Sequence, residues 1–162
     1  MVAITLPDRS VQAHDGAVTG LEIAAAIGKG LAKAAVAIRV NDELWDLART
    51  IETDSTIAIV TRETEEGRDI LRHDAAHVLA EAVKELYPET QVTIGPAIEN
   101  GFYYDFARET PFTPEDLEKI EKQMHAIVAR NDAITREVWN RDKAITFFKD
   151  MGEHYKAEII EA

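Results

Sequence analysis

Cysteine is absent from the 162 residues. That removes disulfides, thiolate metal sites and a thiol nucleophile. No apolar run approaches the roughly 20 residues that cross a bilayer, and the first residues lack the basic and apolar regions of a secretory signal. A soluble, cytoplasmic protein with no membrane partner is therefore expected. Positive charge is scarce: 18 Lys and Arg stand against 30 Asp and Glu, for a net charge of −12. Such a surface argues against nonspecific phosphate binding, which needs Lys and Arg to release counterions. Contact with nucleic acid would be local, or would rely on further parts of a longer chain. Internal repeats and low-complexity segments are also missing.

The charge is unevenly placed. Residues 1–62 hold six basic and eight acidic residues, and residues 63–162 hold 12 and 22. This shift, with the short polar stretch Arg62–Gly67, predicts two units, 1–62 and 63–162. In the first, Val2–Leu6 and Ser10–His14 read as a hairpin around Pro7-Asp8-Arg9-Ser10. Thr19 can cap a helix over Gly20–Ile27, with Glu22 at its third position, and Gly28-Lys29-Gly30 ends it. Strands follow at Ala34–Val40, Glu43–Leu47 and Thr56–Thr61. A hairpin, one helix and more strands form the pattern of a β-grasp, ubiquitin-like fold. Nothing in this unit looks catalytic, and the lone His14 reads as structural or solvated.

The second unit is organised around a helix predicted from Glu65 to Tyr87 and stopped by Pro88. It carries His73 and His77 at i and i+4, one turn apart on one face. Leu71, Ala75, Val78, Ala82 and Leu86 form an apolar stripe nearly opposite the histidines. The two imidazoles are either solvated residues or one wall of a cleft. Gln91–Ala97 reads as a strand interrupted by Gly95-Pro96. Asn100-Gly101 then signals a hairpin, and Phe102–Phe106 returns with Phe102, Tyr104 and Phe106 on one face. Thr113 and Pro114 start a helix to about Arg130 that buries Leu117, Ile120, Met124, Ile127 and Val128. A strand at Ile134–Val138, a helix capped by Asn140, a break at Gly152 and a helix over His154–Ile160 complete the chain. The fold class is α+β.

A helical His-x-x-x-His pair is half of a common zinc site. Zinc needs a third ligand, and His125, His154, Asp105 or a Glu could supply it, yet no spacing selects among them. The metalloprotease Glu is missing, because Asp74 and Ala75 follow His73. Metal binding, metal-free acid–base or orienting chemistry, and a plain solvated role all stay open on the pattern alone.

Two resemblances narrow this reading. Leu6-Pro7-Asp8-Arg9-Ser10 resembles the Leu-Pro-Asp/Asn-Gly-Ser hairpin of the TGS domain, with Arg9 where Gly is usual. His73-Asp74-Ala75-Ala76-His77, followed by Val92-Thr93-Ile94-Gly95-Pro96-Ala97-Ile98-Glu99-Asn100-Gly101-Phe102-Tyr103-Tyr104-Asp105-Phe106, resembles the threonyl-tRNA synthetases across essentially the whole chain. That resemblance implies a β-grasp TGS domain followed by an α+β editing domain, shared in part with alanyl-tRNA synthetases and built around the His-x-x-x-His helix. It implies hydrolysis of mischarged seryl-tRNA(Thr), with His73, His77 and Lys156 as catalytic residues and Tyr104 shaping the substrate pocket, and no metal in this site.

The family's ATP, Mg and zinc belong to a catalytic domain that this sequence does not contain, so no aminoacylation and no cofactor are expected here. The family's second editing motif, Cys-x-x-x-His, also has no counterpart, so the editing domain reads as incomplete and the chain alone as weak or inactive. Implied partners are tRNA(Thr), seryl-tRNA and the rest of a homodimeric synthetase. The alternatives are a non-catalytic RNA- or protein-binding module and a metal-dependent hydrolase using the His pair.

Overall fold

The computed structural model describes residues Met1–Ala162, which divide into two compact units, Met1–Leu71 and Arg72–Ala162. In the first, β1 (Val2–Thr5) and β2 (Val11–His14) form the N-terminal hairpin. Its turn places Arg9 at φ 67, while the Asp8 carboxylate accepts the Ser10 amide at 2.9 Å and its hydroxyl at 2.6 Å. β3 (Val18–Thr19) leads into α1 (Gly20–Ile27), where Thr19 and Glu22 close a reciprocal capping box.

The sequence places an end at Gly28, but the helical path resumes as α2 (Lys29–Ala34). Gly28 has an extended backbone and serves as the C-cap of α1 and the N-cap of α2. β4 (Ala35–Val40) and β5 (Glu43–Trp45) meet at Asn41-Asp42, both at positive φ, the conformation a tight two-residue hairpin needs. β6 (Thr50–Ile51) pairs with β3, and β7 (Ser55–Thr61) enters the middle of the main sheet. The strand order is β2-β1-β7-β4-β5, with β1 and β7 parallel and the other neighbours antiparallel.

This is the β-grasp arrangement. Ile23 of α1 is buried with Ile4, Ile38, Ile51 and Ile57 of the strands in one core. Each such side chain contributes about 1.5–3 kcal/mol when fully buried.

Helix α3 (Glu65–Leu86) crosses the division between the units. Its buried apolar side chains are Ala76, Ala80, Ala82 and Val83, so the expected stripe needs correction. Ala82 lies on that stripe, whereas Leu71 is exposed and Ala76 and Ala80 fall on the histidine side. The helix is covered on two faces, and period alone finds only the more hydrophobic one. On the first face, α4 (Pro114–Arg130) packs Ile120 and Ile127 against Ala82 and Val83. Arg130 grips the Glu85 carboxylate with two 2.7 Å hydrogen bonds. Leu117 and Val128 of α4, expected inside, are exposed.

The second face of α3 meets a loose hairpin and a helical pair. The hairpin holds β8 (Gln91–Val92), β9 (Ala97–Ile98), β10 (Gly101–Phe102) and β11 (Phe106–Ala107). β8 pairs with β11 and β9 with β10, so the two expected strands are each split in two. Pro96 has no amide hydrogen to give to a ladder. The segment 131–139 contains no strand, and Ile134 and Val138 are 92% and 76% exposed. The apolar alternation there has no neighbouring strand to pair with. The helical pair is α5 (Arg141–Asp150), capped by Asn140, and α6 (His154–Glu161).

Candidate functional site

The second face of α3 forms one wall of a cavity of about 460 Å³. His73, Ala76 and His77 come from the helix, Thr93–Pro96 and Tyr104 from the hairpin, Phe148 from α5, and Lys156, Ile159 and Ile160 from α6. The four residues singled out from the sequence, His73, His77, Tyr104 and Lys156, therefore border one space. His125, His154 and Asp105 are not among its lining residues.

The histidines touch each other. Their Nε2 atoms lie 3.0 Å apart, and the rings meet edge to face with centroids 4.6 Å apart. The i, i+4 spacing on a regular helix brings them together. One Nε2 donates while the other accepts, so at most one of them carries a proton along this bond. His77 titrates below the ordinary value of 6.5, first because it is desolvated and then because His73 and Lys156 add positive charge nearby, against an opposing pull from Asp74.

Tyr104 is placed by the hairpin. The Asp105 amide donates to the Ile94 carbonyl at 3.1 Å and the Tyr103 amide to the Pro96 carbonyl at 3.4 Å, which sets Tyr104 across from Gly95. Its ring lies directly on the Gly95 backbone: a Cβ there would stand 2.0 Å from Tyr104 Cδ2. The ring also stacks on Phe106, with centroids 4.9 Å apart and 19° between planes. Burial pushes the Tyr104 phenol above its usual range, with a smaller push from the Glu153 charge. Lys156 Nζ is 5.7 Å from the centre of the Phe148 ring, an attractive cation–aromatic distance.

No group of three His, Cys, Asp or Glu residues is arranged to hold a metal ion. Zinc takes at least three protein ligands, so the histidine pair alone is an incomplete donor set. The arrangement can instead present an uncharged imidazole and a cation to a polar substrate in a cavity whose walls are largely apolar. Sequence reasoning missed Gly95 as the bed for Tyr104, and also Phe148, Ile159, Ile160 and Glu153. For Gly95, the signal was available in its place opposite Tyr104 across an Asn-Gly hairpin.

Residues 2–61 match the TGS domain family. Along its whole length the chain is similar to threonine–tRNA ligases. It is 64% identical over 161 residues to that of Paramagnetospirillum magneticum, 62% over 160 to that of Aromatoleum aromaticum and 61% over 161 to that of Thiobacillus denitrificans. Each match takes in 99% of this chain and 25% of the relative, so the chain spans about a quarter of the length of the curated relatives it matches. No helix is long and apolar enough to cross a membrane.

Proposed function

We propose that the chain is the N-terminal part of a threonine–tRNA ligase, and that its second unit contributes to hydrolysis of seryl-tRNA(Thr) made in error. The observation that carries this reading is the meeting of His73, His77, Tyr104 and Lys156 around one cavity. The need for such a site follows from chemistry. Serine differs from threonine by one methyl, worth only about 1–3 kcal/mol in a binding pocket. A second site that admits the smaller product removes what the first lets through. Joining threonine to tRNA with ATP belongs to the remainder of the enzyme, where the family's zinc and Mg would also reside. Tyr104 shapes the pocket, and tRNA(Thr) and the rest of a dimeric synthetase are the partners.

In the reaction, a water oxygen attacks the ester carbonyl carbon that joins serine to the terminal ribose. An imidazole lone pair takes the proton that the water gives up, and the carbon–ribose oxygen bond breaks. The same proton passes to the ribose oxygen, which restores the hydroxyl of the tRNA and leaves serine as a carboxylic acid that ionises and releases one proton to water. The depressed titration of His77 keeps it uncharged at neutral pH and able to accept. Lys156 offsets negative charge on the developing oxyanion or the adjacent phosphate. No side chain is placed as a covalent nucleophile.

The test is single-turnover hydrolysis of seryl- and threonyl-tRNA by this chain, beside a chain extended to the length of its relatives. The extended chain should prefer seryl-tRNA, and this chain alone should be weak or inactive. In the extended protein, His73→Ala and His77→Ala should each lower the rate by about 10²-fold or more with an unchanged circular dichroism spectrum. Activity should fall as pH drops through the His77 titration, with the acid limb centred below 6.5. Equal rates on both substrates, or full activity without the histidines, would overturn the proposal.

A further inference from the structure

Near the cavity, but outside its lining, lies an ion pair that the hydrolytic reading does not use. Lys84 Nζ stands 2.7 Å from Glu153 Oε1. Glu153 is only 4% exposed, and its other oxygen, Oε2, is buried with no hydrogen-bond partner. Lys84 is saturated. Besides Glu153 it donates to the Pro88 carbonyl at 2.7 Å and the Thr90 carbonyl at 3.1 Å, which uses all three ammonium hydrogens. The Glu153 carboxylate is buried while the Lys84 side chain stays 31% exposed, and desolvation of the carboxylate offsets much of the attraction. A pair with one carboxylate oxygen left unpartnered is a still weaker stabiliser. What it does supply is a defined geometry.

Both partners are in register with the cavity residues. Lys84 lies two turns along α3 from His77, on the same face. Glu153 immediately precedes α6 and lies three residues before Lys156. The turn that delivers Glu153 is equally fixed. Gly152 at φ 76 lets its amide donate to the Lys149 carbonyl at 3.0 Å, while the Glu153 amide donates to the Phe148 carbonyl at 2.8 Å. These are the two bonds of a Schellman close to α5. A one-residue slide of α6 would shift it by about 1.5 Å and turn Lys156 by about 100°, and Glu153 would then miss Lys84.

We propose that Lys84 and Glu153 are positioning residues: their ion pair locks α6 to α3 so that Lys156 is held on the His77 side of the cavity. The assignment of a catalytic purpose to this clamp rests on the hydrolytic reading above, but the clamp itself does not.

Histidine NMR titration of this chain tests it without substrate. The charged groups facing His77 are His73 and Asp74 on α3 and Lys156 on α6. Removing Lys156 as Lys156→Met should raise the His77 titration point. Glu153→Gln should raise it too, toward the Lys156→Met value, and the double variant should rise no further. The sign is diagnostic. Deleting the Glu153 negative charge acts directly on His77 in the opposite sense, lowering its titration point, so a rise reports departure of Lys156.

A fall or no change in Glu153→Gln, additive rises in the double variant, or no effect of Lys156→Met would overturn the clamp. If Glu153→Gln fails to fold, Lys84→Met/Glu153→Gln removes both charges of the pair, whose direct effects on His77 oppose each other, and the titration point should still rise toward the Lys156→Met value. In the extended chain, Glu153→Gln should lower the hydrolysis rate by about 10- to 100-fold, the scale of a 1 Å misplacement, with KM little changed. An extended chain with no deacylase activity would overturn the proposed function, leaving the titration to judge the clamp.

Discussion

Substituting Gly95 by alanine isolates the contact that seats Tyr104. The new Cβ would lie 2.0, 2.5 and 2.7 Å from Tyr104 Cδ2, Cε2 and Cγ. Carbon atoms rest at about 3.5–4.0 Å, so the ring must withdraw by roughly 1.5 Å. Phe106, stacked on the ring at 4.9 Å between centroids, limits where it can go. Gly95 is not at positive φ, so alanine meets no left-handed strain and the clash with the ring is the main cost. Overpacking of this kind costs about 1–3 kcal/mol. At about 4–8 °C per kcal/mol for a domain of 60–100 residues, thermal unfolding of the second unit should fall by roughly 4 to 24 °C. The assay is a double-mutant cycle. In a Tyr104→Ala background the obstacle is gone, so Gly95→Ala should be nearly neutral, with a coupling on the order of 1–3 kcal/mol. Equal losses in both backgrounds, or no loss in either, would refute the steric account.

Two other perturbations probe the frame. Arg9 holds φ 67, a conformation that costs an L-residue about 1–2 kcal/mol and glycine nothing comparable. Arg9→Gly should therefore stabilise the first unit by up to about 1 kcal/mol after glycine's greater freedom in the unfolded chain is counted, and denaturant midpoints would show it. Asp116 accepts from the Thr113 amide and the Tyr87 hydroxyl, which hold its carboxyl down from 3.8 to about 2. A lowered carboxylate stabilises the fold above its unfolded value and stops doing so as pH falls through its folded value. Asp116→Asn should thus unfold at lower temperature than the parent at pH 7, with the gap closing as the pH falls from 3.8 toward about 2.

What could be read from the sequence was what local chemistry dictates. Pro88 sets the end of α3 to within a residue, Thr113 and Pro114 start α4, Asn140 caps α5, and Gly152 breaks the chain between α5 and α6. The β-grasp order followed from strand and turn signals in the first unit. Features that depend on distant neighbours stayed hidden. Gly28 looked like a terminus because nothing local says that the helix resumes. Ile134–Val138 alternates like a strand but finds no partner. The two-residue bridge between β3 and β6 is too short to leave a pattern. The cavity shows the same divide. The helical pair His73 and His77 announces itself, whereas Gly95, Phe148 and Glu153 gain meaning only once hairpin and helices converge. Tyr104 and Lys156 were reached through family resemblance, because an aromatic on a strand and a lysine on a helix carry no mark of their own.

The 3.0 Å bond between the two histidine Nε2 atoms makes those rings a coupled unit. With both rings neutral, one proton lies between two nitrogens, and the ring that holds it cannot be the one that accepts it. Any ligand that captures the donor forces the other ring to find a new partner or change tautomer. The pair therefore has two alternative proton arrangements, and the first group to bind selects between them.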